Sequence, residues 1–130
     1  MAEASYPEEL LYHQEHDWVK IDEDGETATM GITWYAQDAL GEVVFFDAPQ
    51  VGDTVTQDES YAEIESVKAV SEVIAPMSGE VIEVNGAIAD DPAVVNEDPY
   101  SGGWLVKVRL SSVEERNSLM DSAAYTAMLG

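Results

Sequence analysis

The chain has 130 residues, with 27 acidic and 5 basic side chains, a formal net charge of −22 and no cysteine. One domain with a hydrophobic core fits this length, and a hydrophobic content of 45% argues against wholesale disorder. The scarcity of cations makes nucleic acids and anionic membranes poor partners. The lack of cysteine excludes disulfides, thiolate nucleophiles and cysteine-ligated metals.

Short strand-like runs separated by turn signals dominate the sequence. Residues 22–25, between the first two runs, predict a hairpin. The run at 42–46 is expected to be a buried strand, and the run at 61–67 places alternate residues on opposite faces. The expected strands cover residues 18–21, 26–32, 42–46, 61–67, 70–75, 80–84 and 104–110.

One helix is expected in the first half of the chain, over Trp34–Leu40. Thr33 suits its N-cap, and Gly41 suits its C-terminal end because glycine tolerates the conformation that often ends a helix. Residues 89–103 contain prolines, glycines and several acids, and they predict a long loop.

The C-terminal segment predicts two short helices. Ser112 followed by Glu115 fits a capping box for a helix that reaches about residue 120. Asp121 suits the N-cap of a second helix. Many short strands with small helices at the ends predict a mainly β protein, a compact sandwich or barrel.

Lys68 is isolated in charge. Between Ile21 and Val106 it is the only lysine or arginine, although carboxylates are frequent. Strand-like sequence enters and leaves the turn at Lys68 without glycine or proline, which predicts a tight hairpin with the lysine exposed at its tip. Glu65 and Glu72 on either side favour the charged lysine, and this opposes a nucleophilic or Schiff-base role. An exposed lysine of this kind suits enzymatic acylation, although composition alone also fits a surface lysine in a salt bridge.

The five residues around this lysine, Glu65, Ser66, Val67, Lys68 and Ala69, resemble the lipoylation motif of the glycine cleavage H-protein family. The resemblance extends in register over roughly residues 10–125. The further matching segments are E-H-D-W-V (15–19), G-I-T (31–33), Y-A-Q (35–37), L-G (40–41), V-G-D (51–53), A-P (75–76), S-G-E-V (78–81), V-N (84–85), V-N-E-D-P-Y (95–100) and G-W-L (103–105).

The resemblance implies a barrel-sandwich hybrid fold like that of lipoyl domains, in one lipoyl-carrier domain over residues 1–130. It implies lipoic acid bound covalently through an amide at Lys68. The carrier would not be a catalyst, because the cofactor supplies the chemistry and the protein supplies its placement.

The family also implies partners. A pyridoxal-phosphate glycine decarboxylase (P protein) would load an aminomethyl group on the arm. A tetrahydrofolate-dependent aminomethyltransferase (T protein) would take it up, and dihydrolipoyl dehydrogenase (L protein) would reoxidise the arm. Lipoylating enzymes would attach the cofactor, and some family members pass lipoate on to other complexes. The carrier is expected to be a monomer.

By resemblance, a cleft shelters the loaded arm. It would involve Glu15 and Asp17 of the N-terminal motif and Glu72 after the lysine. Many family members have histidine where this chain has Ala39, so the shelter is expected to use other groups here.

Other interpretations remain open on the sequence. The chain could be a lipoyl or biotinyl domain of another complex, or a small acidic enzyme or interaction module without modification. His13 and His16 could form a metal-binding pair, but no third ligand is evident and a structural role is favoured. The acidic N-terminus resembles neither a secretory signal nor a transit peptide. We therefore expect a bacterial cytoplasmic protein, or a mitochondrial one whose presequence has been removed.

Overall fold

The computed structural model describes residues 5–130 and contains two antiparallel sheets with short helices. The strands are β1 (Leu11–His13), β2 (Asp17–Ile21), β3 (Thr27–Ile32), β4 (Val43–Asp47), β5 (Thr54–Val55), β6 (Ser60–Ser66), β7 (Val70–Ile74), β8 (Gly79–Val84) and β9 (Val106–Leu110). The helices are α1 (Trp34–Leu40), α2 (Ala87–Asp90), α3 (Val94–Glu97) and α4 (Ser122–Leu129), with a 3₁₀ helix over Val113–Ser118.

The sheets have six and three strands. The larger has the order β1-β2-β3-β9-β8-β5, and the smaller has the order β4-β6-β7. The prediction of a mainly β sandwich with short helices is confirmed, and the sheets do not close into one barrel. No helix of the described residues is long and apolar enough to cross a membrane.

The core takes side chains from both sheets. Val19 and Met30 of the larger sheet and Ile64 and Val73 of the smaller one belong to one buried cluster. The alternation predicted in the run at 61–67 is observed from Ala62 onward, because successive side chains of a strand point to opposite faces.

The expectation of a buried strand at 42–46 is wrong in its burial. The strand exists as β4, but only Val43 in it is buried, and Val44 and Phe45 are exposed. The reason is its position: β4 is an edge strand of the smaller sheet, and its register shifts at a bulge between Val43 and Phe45.

The expectation of a long loop at 89–103 is also wrong in part. Helices α2 and α3 are single turns, and each inserts one apolar residue, Ile88 and Val95, into the core. The side chain of Asn85 ties this region to the end of the preceding strand. Its amide donates to the carbonyl oxygens of Gly102 and Trp104, at 3.0 and 2.7 Å.

The helix caps were predicted with mixed success. Thr33 Oγ1 accepts from the Ala36 amide at 3.2 Å, and Asp121 Oδ1 accepts from the Ala124 amide at 2.8 Å. Both N-caps are therefore confirmed. The capping box is wrong, because Ser112 makes no capping hydrogen bond and the helix after it is 3₁₀. Glu115 instead accepts from the backbone amide and hydroxyl of Ser78, at 2.7 and 2.8 Å.

Candidate functional site

Lys68 lies at the tip of the β6–β7 hairpin, as predicted. The turn is closed by Ser66, whose backbone amide donates to the Ala69 carbonyl at 2.8 Å. The Ser66 hydroxyl accepts from the Ala69 amide at 3.1 Å. The Val67 backbone amide donates to the Glu42 carbonyl at 3.0 Å, and this bond anchors the tip to the start of β4. Neither Val67 nor Lys68 has a positive φ, so the turn needs no glycine.

The Lys68 side chain is exposed and runs beside Gly41. A Cβ placed on Gly41 would lie 3.4 Å from Lys68 Cε. Residues 5–130 contain two ion pairs, His13–Asp58 and Arg109–Glu80. Neither includes Lys68, so its ammonium has no carboxylate within 4.0 Å. This contradicts the alternative of a salt-bridged surface lysine and leaves the amine open to solvent.

A cleft of about 330 Å³ begins next to the hairpin tip, at Ala69 and Val70. It runs along the free edge of β7 and is closed on the other side by α1 and the loop before β2. Glu15, Asp17 and Glu72, predicted as cleft residues, all line it, and so do Ala69 of the lysine motif and Ala39. The structure therefore brings the three acids together beside the Lys68 hairpin.

Asp17 is the buried acid of the cleft, with 2% of its surface exposed. Burial raises the pKa of its carboxyl well above the ordinary 3.8; a hydrogen bond from the Ile74 backbone lowers it, and the charge of Glu15 raises it. Its Oδ2 atom has no hydrogen-bond partner among the described residues. Burial thus disfavours the charged form of this carboxyl, and a cation beside it would favour that form.

Tyr61 belongs to the same environment, which sequence reasoning missed. Its hydroxyl is buried without a hydrogen-bond partner among residues 5–130. Burial, and then the charge of Asp17, raises the pKa of Tyr61 well above 10.0. A register shift between Ser60 and Ala62 interrupts the alternation of β6 at this tyrosine, which packs against the core. Nothing in the local sequence indicates that bulge.

His16 supports the wall of the cleft. It has a positive φ of 74°, its Nδ1 is hydrogen-bonded to the Tyr125 hydroxyl at 2.7 Å, and its ring lies 4.3 Å from that of Tyr35. The same hydroxyl is 2.9 Å from Thr33 Oγ1, which caps α1. Burial lowers the pKa of His16. Helix α4 is thereby tied to the two segments that close this side of the cleft, the loop before β2 and α1.

His13 positions the acidic loop. Its Nδ1 accepts from the Glu15 amide at 3.0 Å, so its Nε2 carries the hydrogen that is shared with Asp58 Oδ1 at 2.6 Å. Both histidines are thus engaged within the protein. Among residues 5–130 no group of three or more His, Asp or Glu side chains is placed to hold a metal ion.

Asn96 fixes the far side of the lysine hairpin. Its amide nitrogen donates to the Gly41 carbonyl at 2.7 Å and to Gln37 Oε1 at 3.0 Å. Its amide oxygen accepts from the Val43 amide at 2.9 Å. One side chain of α3 therefore joins the end of α1 to the start of β4, the two segments that contact the Lys68 turn.

An exposed lysine on a tight hairpin beside a cleft is the arrangement expected of a carrier domain. The family described as glycine cleavage H-protein matches residues 10–130. The chain therefore belongs to the glycine cleavage H-protein family, whose members are lipoyl carriers of the glycine cleavage system.

Similar proteins agree with this membership. Glycine cleavage system H proteins of Escherichia coli O7:K1 and of Salmonella newport are each 48% identical over 126 residues, and the match covers 97% of both chains. The crystal structure of a glycine cleavage system H protein from Mycobacterium marinum superposes with a TM-score of 0.86 at 41% identity, covering 95% of this chain and 98% of that one.

Proposed function

We propose that Lys68 carries the lipoyl group and that this protein is the carrier of a bacterial glycine cleavage system. The observation that carries the proposal is the open Lys68 amine on its hairpin, without an ion-pair partner among the described residues. In the attachment, an amide bond forms between Lys68 Nζ and the lipoyl carbonyl carbon, the activating group leaves and the amine gives up its proton. The bacterial relatives support a cytoplasmic location.

The residues near Lys68 fit a lipoyl group. The cleft starts at Ala69 and Val70, so a chain attached at Lys68 can fold back into it. Apolar side chains of Ile32, Leu40 and Ile64 form part of its lining. Such a lining suits the hydrocarbon chain and excludes water from a group that hydrolyses easily.

When bound, the lipoyl group supplies the sulfur that carries an aminomethyl group between enzymes. Glu15, Asp17 and Glu72 supply negative charge for the amine of that group. A cation beside Asp17 favours the ionised carboxylate and offsets the cost of its burial. The orphaned Oδ2 of Asp17 is free to accept the hydrogen bond.

The protein itself acts by placement rather than catalysis. Tethering keeps the reactive sulfur at a high effective concentration for whichever enzyme docks. We assign the P, T and L proteins as these partners and lipoylating enzymes as the source of the arm, on the basis of family membership. The acidic surface favours rapid, salt-sensitive encounters with basic partner surfaces.

Mass analysis of a Lys68→Arg variant tests the proposal. Arginine keeps the charge but cannot be acylated in this way, so we expect folded protein without lipoyl mass and without glycine cleavage in a reconstituted system. Lys20→Arg is the matched control, because Lys20 is also exposed on a strand; it should be lipoylated and active. Activity of Lys68→Arg, or an unmodified Lys68 in a lipoate-replete host, would refute the assignment. A biotin increment would indicate the alternative carrier class.

A further inference from the structure

The outer face of the smaller sheet has an apolar patch beside Lys68. Phe45 of β4 and Val70 of β7 flank Glu65 in one cross-strand row, with 51% and 60% of their surfaces exposed. Val67 at the tip is 72% exposed, and Val44 at the bulge is 46% exposed. Four exposed apolar side chains gathered around one lysine exceed the scattered exposure normal for a protein surface, and such patches mark interaction sites.

The next row of the same face consists of carboxylates. Glu63 lies opposite Asp47 on one side and opposite Glu72 on the other, and all three are exposed. Like charges directly opposite one another destabilise a sheet. Neither ion pair of the described residues includes any of these three acids. A basic surface laid on this face would relieve their repulsion.

A groove extends the patch at the β4 edge. It has a volume of about 200 Å³, and Val44 and Phe45 form one wall while Ile88, Ala89 and Pro92 form the other. This lining is mostly apolar and suits one protruding hydrophobic side chain of a partner. We define the tip surface as six residues. They are the four apolar residues of the patch and the two acids of the row that do not line the cleft: Val44, Phe45, Val67, Val70, Asp47 and Glu63.

We propose that the tip surface is the docking site of the enzyme that acylates Lys68. The partner surface would carry an apolar side chain for the groove and at least two basic side chains for the acid row. This inference rests on the proposed function, in which Lys68 is the lipoylated residue.

Reach distinguishes the acylating enzyme from the other partners. The lipoyl chain places its sulfurs several bonds beyond Lys68 Nζ, so enzymes that act on sulfur can do so away from the hairpin. The acylating enzyme must bring an activated lipoyl carbonyl to Nζ itself, which places its surface against the exposed Val67 and Val70 beside the lysine.

The test measures lipoylation rates with a purified lipoate–protein ligase, lipoate and ATP, followed by mass analysis of the Lys68 peptide. Phe45→Ser should lower kcat/KM at least about tenfold, as expected for an aromatic contact in an interface. Val44→Ser should lower it about threefold. Val51→Ser is the control for apolar loss, because Val51 is 66% exposed in a turn outside the tip surface; its rate should stay within about twofold of wild type.

Charge is tested separately. The double variant Asp47→Asn/Glu63→Gln should lower kcat/KM about tenfold at low salt and flatten its salt dependence. Glu23→Gln/Glu114→Gln changes net charge equally at exposed positions outside the sheet and should have a much smaller effect. Circular dichroism checks that each variant is folded, and Val44→Ser replaces Phe45→Ser if the latter is not.

Equal rates for the tip-surface and control variants would overturn the docking site, as would equal losses for the two charge doubles. A wild-type protein that acquires no lipoyl group would refute the proposed function instead, so the two failures are distinguishable. We also expect each variant, once lipoylated, to support glycine cleavage at the wild-type rate, because the tip surface serves the attachment of the lipoyl group.

Discussion

Replacing Asp17 by asparagine should stabilise the protein, and increasingly so as pH rises. Burial raises the pKa of this carboxyl well above 3.8 in the folded state. The stability that it contributes is therefore fully present below pH 3.8 and is lost as pH rises through the folded pKa. Between pH 3.8 and the folded pKa, the wild type loses about 1.4 kcal/mol of unfolding free energy per pH unit relative to the variant.

Urea unfolding of both proteins at unit steps from pH 4 to pH 8 measures this difference. The other carboxylates titrate in both proteins, so their contributions cancel in the comparison. Tyr61→Phe is the matched control: it removes the neighbouring unpartnered hydroxyl and should stabilise by about 1 kcal/mol at every pH in this range. A difference between wild type and Asp17→Asn that does not change with pH would refute the account of Asp17 as a buried acid with a raised pKa.

Further predictions concern the scaffold of the site. Ser66→Ala should cost about 1 kcal/mol, because the Ala69 amide loses its acceptor, and thermal unfolding would detect it; an unchanged midpoint would contradict this. Asn96→Ala should cost about 2–4 kcal/mol, because three hydrogen bonds around Gly41 and Val43 are lost together; a cost below 1 kcal/mol in urea unfolding would show that water replaces them.

Local sequence predicted the elements whose cause is local. The α1 helix was predicted with both ends, because Thr33 and Gly41 act within one turn of it. The lysine hairpin was predicted because two strand-like runs meet at Lys68 with little room for a loop. Strands β1 and β5 were missed, since three and two residues carry too little pattern for recognition.

Errors arose where a distant partner decides the outcome. Glu115 has the right spacing to cap its own helix, but Ser78 provides two hydrogen bonds across the fold, and these determine its position. Phe45 is an apolar aromatic residue in a strand-like run, which suggests burial. It is exposed because β4 lies at the edge of its sheet. Composition reports apolarity, whereas burial depends on which strand becomes the edge.

The cleft also depends on non-local contacts, and its acids could therefore be predicted only from the family motifs. Its walls come from the loop before β2, from α1 and from β7, which are separated in sequence and meet only after the sheets pack. The loop before β2 is secured by two non-local bonds, His13 to Asp58 and His16 to Tyr125. Lys68 is held differently, by a local turn and one anchor from Val67 to Glu42. A carrier benefits from this contrast, because an open lysine is accessible to other proteins while a braced cleft keeps its shape.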